Sequence, residues 1–372
     1  MYHIRGKNPH RHKKCSTSQA ERYHTISDPP KSSPQPSQRP DIVPKCYTLS
    51  MLTADTLNGK NVLLRADLDV PIKHGRVENG FRLEALLPTL KLCLENARRT
   101  CLIGHLGRPE GPDSAFSLAP VRDELKRLID QDISFISSGF SPGECWTGEF
   151  PISLMENIRF DPREESIDRQ FAEELSQGAD LYVYEAFASY NPSTSLQTIP
   201  EVLPTVTGLQ FDREVTTLGG VLTNPTHPTL LIASGAKPDK LKTIKQIMSK
   251  FDHALLGGKF ASPNHLTPDG LDMNEEATSL FKKAISEAQT IVLNGPLGYY
   301  EDGTHAKATK EVFRALKDSS ALTILGGGDT VAAIPALGFH YSDFGFVSTG
   351  GGAMLDFLAT GTHPLLEIVD KK

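Results

Sequence analysis

The amino-acid sequence predicts an α/β protein of two domains, each built on a mainly parallel sheet with helices on both faces. Three observations carry that expectation. At 372 residues the chain is long enough for two domains that each bury a core. Short apolar runs alternate with segments of helical spacing, the pattern of βαβ units. Several apolar runs also end in glycine, most densely between residues 323 and 358.

That last stretch organises the reading. Ile324-Leu325 leads into Gly326-Gly327-Gly328-Asp329-Thr330, and Phe346-Val347 leads into Ser348-Thr349-Gly350-Gly351-Gly352. Each cluster precedes a segment with helical spacing. Strand, glycine turn and helix together present backbone N–H groups and a helix dipole to an anion. A Cβ at these positions would hold a phosphate away from the backbone. Asp329 sits in a first helical turn, where a phosphate-bound Mg²⁺ could be held. One such turn is weak evidence for a phosphate site, since tight turns cap ordinary helices too. Two in tandem, one ending in Asp-Thr, favour the site.

Composition narrows the function class. Hydrophobic content of 38% and charged content of 23% fit a globular protein, and no apolar run approaches a bilayer's thickness. Residues 1–50 hold nine Lys/Arg against three Asp/Glu, a net of +6, so with the whole chain at −6 the remainder carries −12. An acidic body argues against a nucleic-acid binder and makes clustered basic residues informative. The five cysteines (Cys15, Cys46, Cys93, Cys101 and Cys145) form no CxxC pair, which points to a reducing, cytoplasmic setting. Twelve dispersed histidines suggest no zinc site, and no stretch reads as a dimer seam, so a monomer is expected.

Taken in order, residues 1–50 are rich in Ser, Pro, His and basic side chains and are expected to be a disordered extension. They lack the apolar core of a secretory signal, and Met51 reads like a natural start. A first domain is expected over 51–208. It has strands near 61–66, 100–104, 151–155 and 181–184, and helices near 82–96, 118–129 and 168–176. Pro120 falls in a first helical turn, where a missing N–H is tolerated. Polar residues follow the strand ends: Asp67 and Asp69, His105 and Arg108, then Glu156, Asn157 and Arg159. Ligands of open parallel sheets bind at those ends. Arg82, Arg108 and Arg159 would there form a basic pocket able to grip phosphate or carboxylate bidentately. Arg82 or Arg159 alone could equally be a surface ion-pair residue, whereas Gly107 and Pro109 fix a loop that carries His105 and Arg108 as two potential cations.

The second domain is expected over 209–350, opening with a bridging helix at 211–222. Strands near 229–233, 254–258 and 290–294 each run into glycine, the first into Gly235-Ala236-Lys237-Pro238-Asp239-Lys240. No GxxxxGK[ST] or GxGxxG motif occurs, so this is not a Walker loop.

RADLDVP, GHLGRP, SLAP, ENIRFDPREE, GAKPDK, NGPLGYYE, GGGDT and STGGGA occur in the order they have in phosphoglycerate kinases. The chain resembles that family across nearly all of residues 51–372. The resemblance implies two Rossmann-like three-layer domains joined by a helix and hinge, with residues 351–372 packing back on the first domain. It implies phosphoryl transfer between 1,3-bisphosphoglycerate and ADP in the presence of Mg²⁺. Asp67, Leu68, Asp69, Arg82, His105, Leu106, Gly107, Arg108 and Arg159 would line the acid site. Lys240, Gly257, Gly258, Asn294, Pro296, Glu301, Gly327, Gly328, Asp329 and Thr330 would hold the nucleotide, with Asp329 on the metal. Arg82, Lys237, Gly350 and Gly351 would act on the transferred group.

Four features depart from the family pattern. Glu185-Ala186-Phe187-Ala188-Ser189-Tyr190-Asn191-Pro192-Ser193 replaces a segment that carries a substrate arginine and a histidine. Asp69 stands for an asparagine. The lysines of GAKPDK are one residue closer together. Residues 259–289, beginning with Lys259 where the family has glycine, are several dozen fewer than usual, so the second domain should be shortened. These departures leave open a second reading, a non-catalytic relative that binds a nucleotide or phosphorylated metabolite.

Overall fold

The computed structural model describes residues 52–137, 139–140, 142–235 and 238–370. The N-terminal extension, Met51 and Lys237 lie outside the described residues. The first lobe opens with α1 (Ala54–Leu57), β1 (Asn61–Arg65), a small hairpin of β2 (Ile72–Lys73) and β3 (Arg76–Val77), and α2 (Phe81–Asn96). It continues through β4 (Arg99–Ile103), α3 (Ala119–Ile129), β5 (Ser134–Ile136), α4 (Gly143–Thr147) and β6 (Ile152–Met155). It closes with α5 (Arg169–Ser176), β7 (Leu181–Tyr184), α6 (Ile199–Val202) and β8 (Thr205–Thr207).

Helix α7 (Leu209–Thr223) leads into the second lobe. There follow β9 (Thr229–Gly235), α8 (Pro238–Met248), β10 (His253–Gly258), α9 (Glu275–Glu287) and β11 (Thr290–Asn294). Then come α10 (Lys307–Lys317), β12 (Leu322–Gly326), α11 (Gly328–Ala336), β13 (Phe346–Val347), α12 (Gly351–Thr360) and α13 (Pro364–Val369). Two parallel sheets result, ordered β5-β6-β4-β1-β7-β8 and β10-β9-β11-β12-β13. This is the two-sheet Rossmann-like α/β architecture that the sequence predicts. Among the described residues no helix is long and apolar enough to cross a membrane.

The helices sit where their patterns put them. In α2, Leu83, Leu86 and Leu90 are buried against the sheet, and α3 adds Val121 and Leu125 to the same layer. Asp168 caps α5 by accepting from the Phe171 N–H at 2.7 Å. The other face of the first sheet shares one apolar cluster with α7, α8, α12 and α13 of the second lobe. In it Phe187 and Phe211 meet at 5.7 Å, and the buried ring of His363 lies 4.9 Å from Phe211. A separate cluster fills the far side of the second sheet, under α9, α10 and α11. Of the C-terminal segment, α12 packs on α7 and α8 and meets Phe187 of the first lobe through Phe357, and α13 packs on α6.

Helix α7 is anchored by a buried acid. Its N-cap is Gly208, which has no side chain to offer. Glu185, from the end of β7, accepts instead from the N–H groups of Gln210 (3.1 Å) and Phe211 (3.0 Å) and from the Thr89 hydroxyl. The carboxyl lies so close to Gly208 that a Cβ there would overlap it. Burial pushes the Glu185 carboxyl up to about 8. A folded-state value above the unfolded one means the folded chain keeps a proton the unfolded chain has lost. This contribution is therefore full below about pH 4.5 and fades as the pH rises to about 8, by a few kcal/mol at most. Urea midpoints measured from pH 5 to pH 8 should fall, and Glu185→Gln should flatten that slope.

Candidate active site

The acid-site candidates converge on the carboxyl ends of the first sheet. Asp67 and Asp69 follow β1, Arg82 lies in the first turn of α2, residues 104–109 follow β4, and Asn157 and Arg159 follow β6. One Arg82 terminal nitrogen donates to Asp67 Oδ1 (3.1 Å) and to the Asp69 carbonyl (2.8 Å). Asp69 Oδ1 accepts from the Gly107 N–H at 2.9 Å, fixing the loop after β4. Arg159 donates to the Gly107 carbonyl at 2.7 Å, while buried Asn157 ties that loop through the Leu106 carbonyl at 2.8 Å. Arg108 is exposed. Leu68 and Leu106 have buried side chains, so they can offer a ligand only their backbone.

His105 is the hub, and its partner was not foreseen. Arg65, buried at the end of β1, donates to His105 Nδ1 at 2.6 Å. A guanidinium only donates, so Nδ1 must accept and the proton lies on Nε2. Burial first, and then the charges of Arg65, Arg159, Arg82 and Arg108, hold His105 well below the usual imidazole range. It is neutral, and contributes a hydrogen bond rather than a charge. Arg65 also donates to the Ser195 hydroxyl at 3.0 Å, which donates to buried Glu164 at 2.6 Å. The signal was an arginine inside the buried run NVLLR.

Across the cleft, the second sheet's strand ends are sewn together by short polar contacts. Ser234 Oγ donates to the Pro296 carbonyl (2.5 Å), and Lys240 Nζ to the Ser234 carbonyl (2.7 Å). The Gly295 N–H reaches Thr330 Oγ1 (2.8 Å), and Asn294 Nδ2 reaches the Gly351 carbonyl (3.2 Å). Gly327 has a φ of 107°, which a side chain would strain, and its Cα lies where a Cβ on Gly351 would stand. The two glycine turns are thus back to back, with nothing but backbone between them. Gly257 and Gly258 lie at the end of β10, close to Leu297 and Ser234. Gly328 and Asp329 are exposed at the start of α11, and Glu301 is exposed in the loop after β11. The Tyr300 hydroxyl feels both Glu301 and Asp329.

Two contacts bind these walls to each other. Arg82 Nε donates to the Thr349 carbonyl at 3.1 Å. Thr349 in turn gives its N–H (2.7 Å) and its hydroxyl (3.0 Å) to Glu214 Oε1, buried on α7. The second contact is the departing segment itself. Phe187 and Ala188 lie against Gly350, and the Tyr190 hydroxyl lies against Gly352 and bonds Asp356 of α12. Glu214 was missed, although a glutamate among Phe211, Val215 and Leu218 on one apolar helix face is a visible signal.

The arrangement suits anion transfer: guanidinium groups on one wall, backbone N–H groups of two helix starts on the other. Among the described residues no group of three or more His, Cys, Asp or Glu could hold a metal. Asp329 is a single hard oxygen donor beside the two glycine turns. That fits a Mg²⁺ ion held mainly by phosphates and water rather than by a protein cage.

The sequence model of the family described as phosphoglycerate kinase matches residues 52–266 and 264–361. A phosphoglycerate kinase of Leptospira biflexa serovar Patoc is 31% identical over 384 residues, covering 85% of this chain and 97% of its own. One from Akkermansia muciniphila is 33% identical over 374 residues, covering 81% and 92%. The solved phosphoglycerate kinase of Pyrococcus horikoshii OT3 superposes with a TM-score of 0.77 at 24% identity, covering 86% and 98%, which speaks to fold. That of Coxiella burnetii gives 0.70 at 25%, covering 85% and 97%. The two matched pieces meet at residues 264–266, between β10 and α9, and the 384-position alignment is longer than the 372-residue chain. The first fact marks residues 264–266 as the place where the family model is split, and the second shows gaps in this chain without saying where they fall.

Removing the Glu214 carboxylate would strip two buried donors of Thr349 of their partner. Glu214→Ala should cost about 1–3 kcal/mol, read as a lower urea midpoint, and Thr349→Ala added to it should cost less than the sum.

Proposed function

The chain belongs to the phosphoglycerate kinase family, and from that premise we propose how its own residues divide the work. The reaction is the reversible transfer of a phosphoryl group between 1,3-bisphosphoglycerate and ADP, giving 3-phosphoglycerate and ATP, a glycolytic step at a carboxyl group. In our reading the first lobe holds the acid through Asp67, Asp69, Arg82, His105, Arg108 and Arg159, with backbone groups of Leu68, Leu106 and Gly107. The second lobe holds the nucleotide through Lys240, Gly257, Gly258, Asn294, Pro296, Glu301, Gly327, Gly328 and Thr330. Asp329 is the residue that would hold Mg²⁺. That ion, when bound, neutralises charge on the nucleotide phosphates.

The observation that supports this most is the Arg82 bond to the Thr349 carbonyl. It sets a guanidinium of the acid wall beside Gly350 and Gly351, at the start of α12. A phosphoryl group passing between two oxygens needs no covalent help from protein, only alignment and neutralisation of its charge. Arg82 supplies neutralisation from one side and the α12 N–H groups from the other, with Lys237 assigned to the same group. Neutral His105 donates its Nε2–H to the acid without adding a charge that would over-bind product. Closing the two walls over bound ligands would exclude water, which would otherwise hydrolyse an acyl phosphate. We further read the protein as a cytoplasmic monomer acting on small molecules, without nucleic-acid or membrane partners.

The second reading is a relative that binds but does not transfer. Tyr190 on Asp356 supports it, because a phenol and a carboxylate there offer no positive charge to the acid. A coupled assay with 3-phosphoglycerate and ATP separates the two. Wild-type protein should turn over, Arg82→Ala should lose about 10²–10³-fold in kcat/KM, and Gly351→Ala should abolish activity by pushing α12 off Gly327. Equal rates in all three would expose a contaminant and refute transfer. A thermal shift with Mg-ADP but no turnover would establish the binding-only relative.

A further inference from the structure

The first turn of α2 carries Arg82, and the residues just before it are held by the opposite lobe. Gly80, the N-cap of α2, has no side chain, so Asn79 serves in its place: its Oδ1 accepts from the Phe81 N–H at 3.0 Å. That bond fixes which end of the amide is which, because only the oxygen can accept. The other end, Nδ2, donates to the Tyr341 hydroxyl of the second lobe at 3.0 Å. The Phe81 ring lies against the same tyrosine, with centroids 4.4 Å apart and planes tilted by 44°. One second-lobe side chain thus grips both Asn79 and Phe81.

Tyr341 stands on a rigid mount. It opens a single 3₁₀ turn, Tyr341–Asp343, between α11 and β13. Asp343 closes that turn by accepting from the His340 N–H at 2.9 Å, and it pairs with Lys317 of α10 at 2.9 Å. Phe344, directly after the turn, is buried against Phe313 and Phe339. These contacts tie the tyrosine's backbone to the core of the second lobe. The approach of α2 has no such backing. Between it and β13 lies a cavity of about 330 Å³, with Phe81, Ala85 and Pro88 on one side and Phe344, Phe346 and Val347 on the other. Close-packed interiors resist movement, whereas a helix that faces a void can tilt into it.

The tilt of that turn matters because Arg82 reaches across the cleft. Its Nε donates to the Thr349 carbonyl at 3.1 Å, next to Gly350 and Gly351. Asn79 and Phe81, locked to Tyr341, hold the turn from which the guanidinium extends. None of these three side chains is among the residues assigned to either ligand. The contact can therefore set alignment without changing what each lobe binds.

We propose that Tyr341 is a positioning residue for phosphoryl transfer: by pinning the first turn of α2 to the second lobe, it sets where the Arg82 guanidinium stands beside the start of α12. The inference rests on Arg82 acting on the transferred group.

Steady-state kinetics of the full chain with 3-phosphoglycerate and Mg-ATP test it. Tyr341→Ala should lower kcat about tenfold and move the KM of each substrate less than about twofold, because alignment is lost while both ligand sites stay whole. Tyr341→Phe keeps the ring contact and should bring kcat back to within about threefold of wild type. Phe81→Leu is a milder loss of the same contact; it should lower kcat about threefold, and it carries the test if Tyr341→Ala does not fold. In an Arg82→Ala background, Tyr341→Ala should cost no more than about twofold further, since nothing is left to position. A kcat that is unchanged or raised in Tyr341→Ala and Phe81→Leu overturns the proposal. An undiminished loss in the Arg82→Ala background does so too, because it marks a general structural role, as does a loss that falls on KM alone. Wild-type protein that binds both ligands without turning over would instead overturn the transfer reading on which the proposal stands.

Discussion

The structure depends most on the polar relay that runs from Glu214 through Thr349 to Arg82 and Asp67. Glu214 is buried on the linking helix, Thr349 belongs to the second lobe's glycine turn, and Arg82 and Asp67 belong to the first lobe. Desolvating such groups costs free energy that hydrogen bonds only partly return. Burial pushes the Glu214 carboxyl up to about 7 and raises Asp67 as well. That expense is spread along one line of contacts joining both walls of the cleft. Glu185 anchors the same helix to the first lobe. The linking helix is therefore held by buried acids at its start and at its middle, one facing each lobe.

The acid wall shows the same economy of charge. Four guanidinium groups surround one imidazole in a body whose net charge is −12 outside the first fifty residues. They do not repel one another freely, because each of the inner three already donates to an oxygen of the protein: Arg65 to Ser195, Arg82 to Asp67 and Arg159 to Gly107. These bonds set the orientation of the groups before a ligand arrives, which is what pre-organised electrostatics require. Arg108, exposed at the rim, remains the least constrained of the four.

Much of this was legible in the sequence, for physical reasons that differ by element. Buried strands such as β1 and β7 announce themselves as apolar runs, α2 by its leucine spacing, and α5 by Phe171 and Leu175 behind a capping aspartate. Strand-end chemistry followed, because polar residues directly after such runs have few other places to go. The short strands β5 and β8 were not read, since three residues at a sheet's flank carry no period. The π-helical turn Thr194–Thr198 was equally invisible: its buried Thr194 and Ser195 are satisfied by tertiary hydrogen bonds with Arg163, Arg65 and Glu164. Arg65, Glu164 and Glu214 were missed together, because a charge on an apolar face reads as an error until its partner is seen.

The apolar cluster that continues from the first lobe into the second has a consequence for motion. Phe187, Phe211, Phe357 and Leu358 belong to one interior, so the lobes share a common oil-filled seam rather than two finished surfaces. Splitting that seam would wet large aromatic faces, at roughly 25 cal/mol for every Å² uncovered. Opening must then be a rocking about the seam, widening the polar mouth while the greasy edge stays shut.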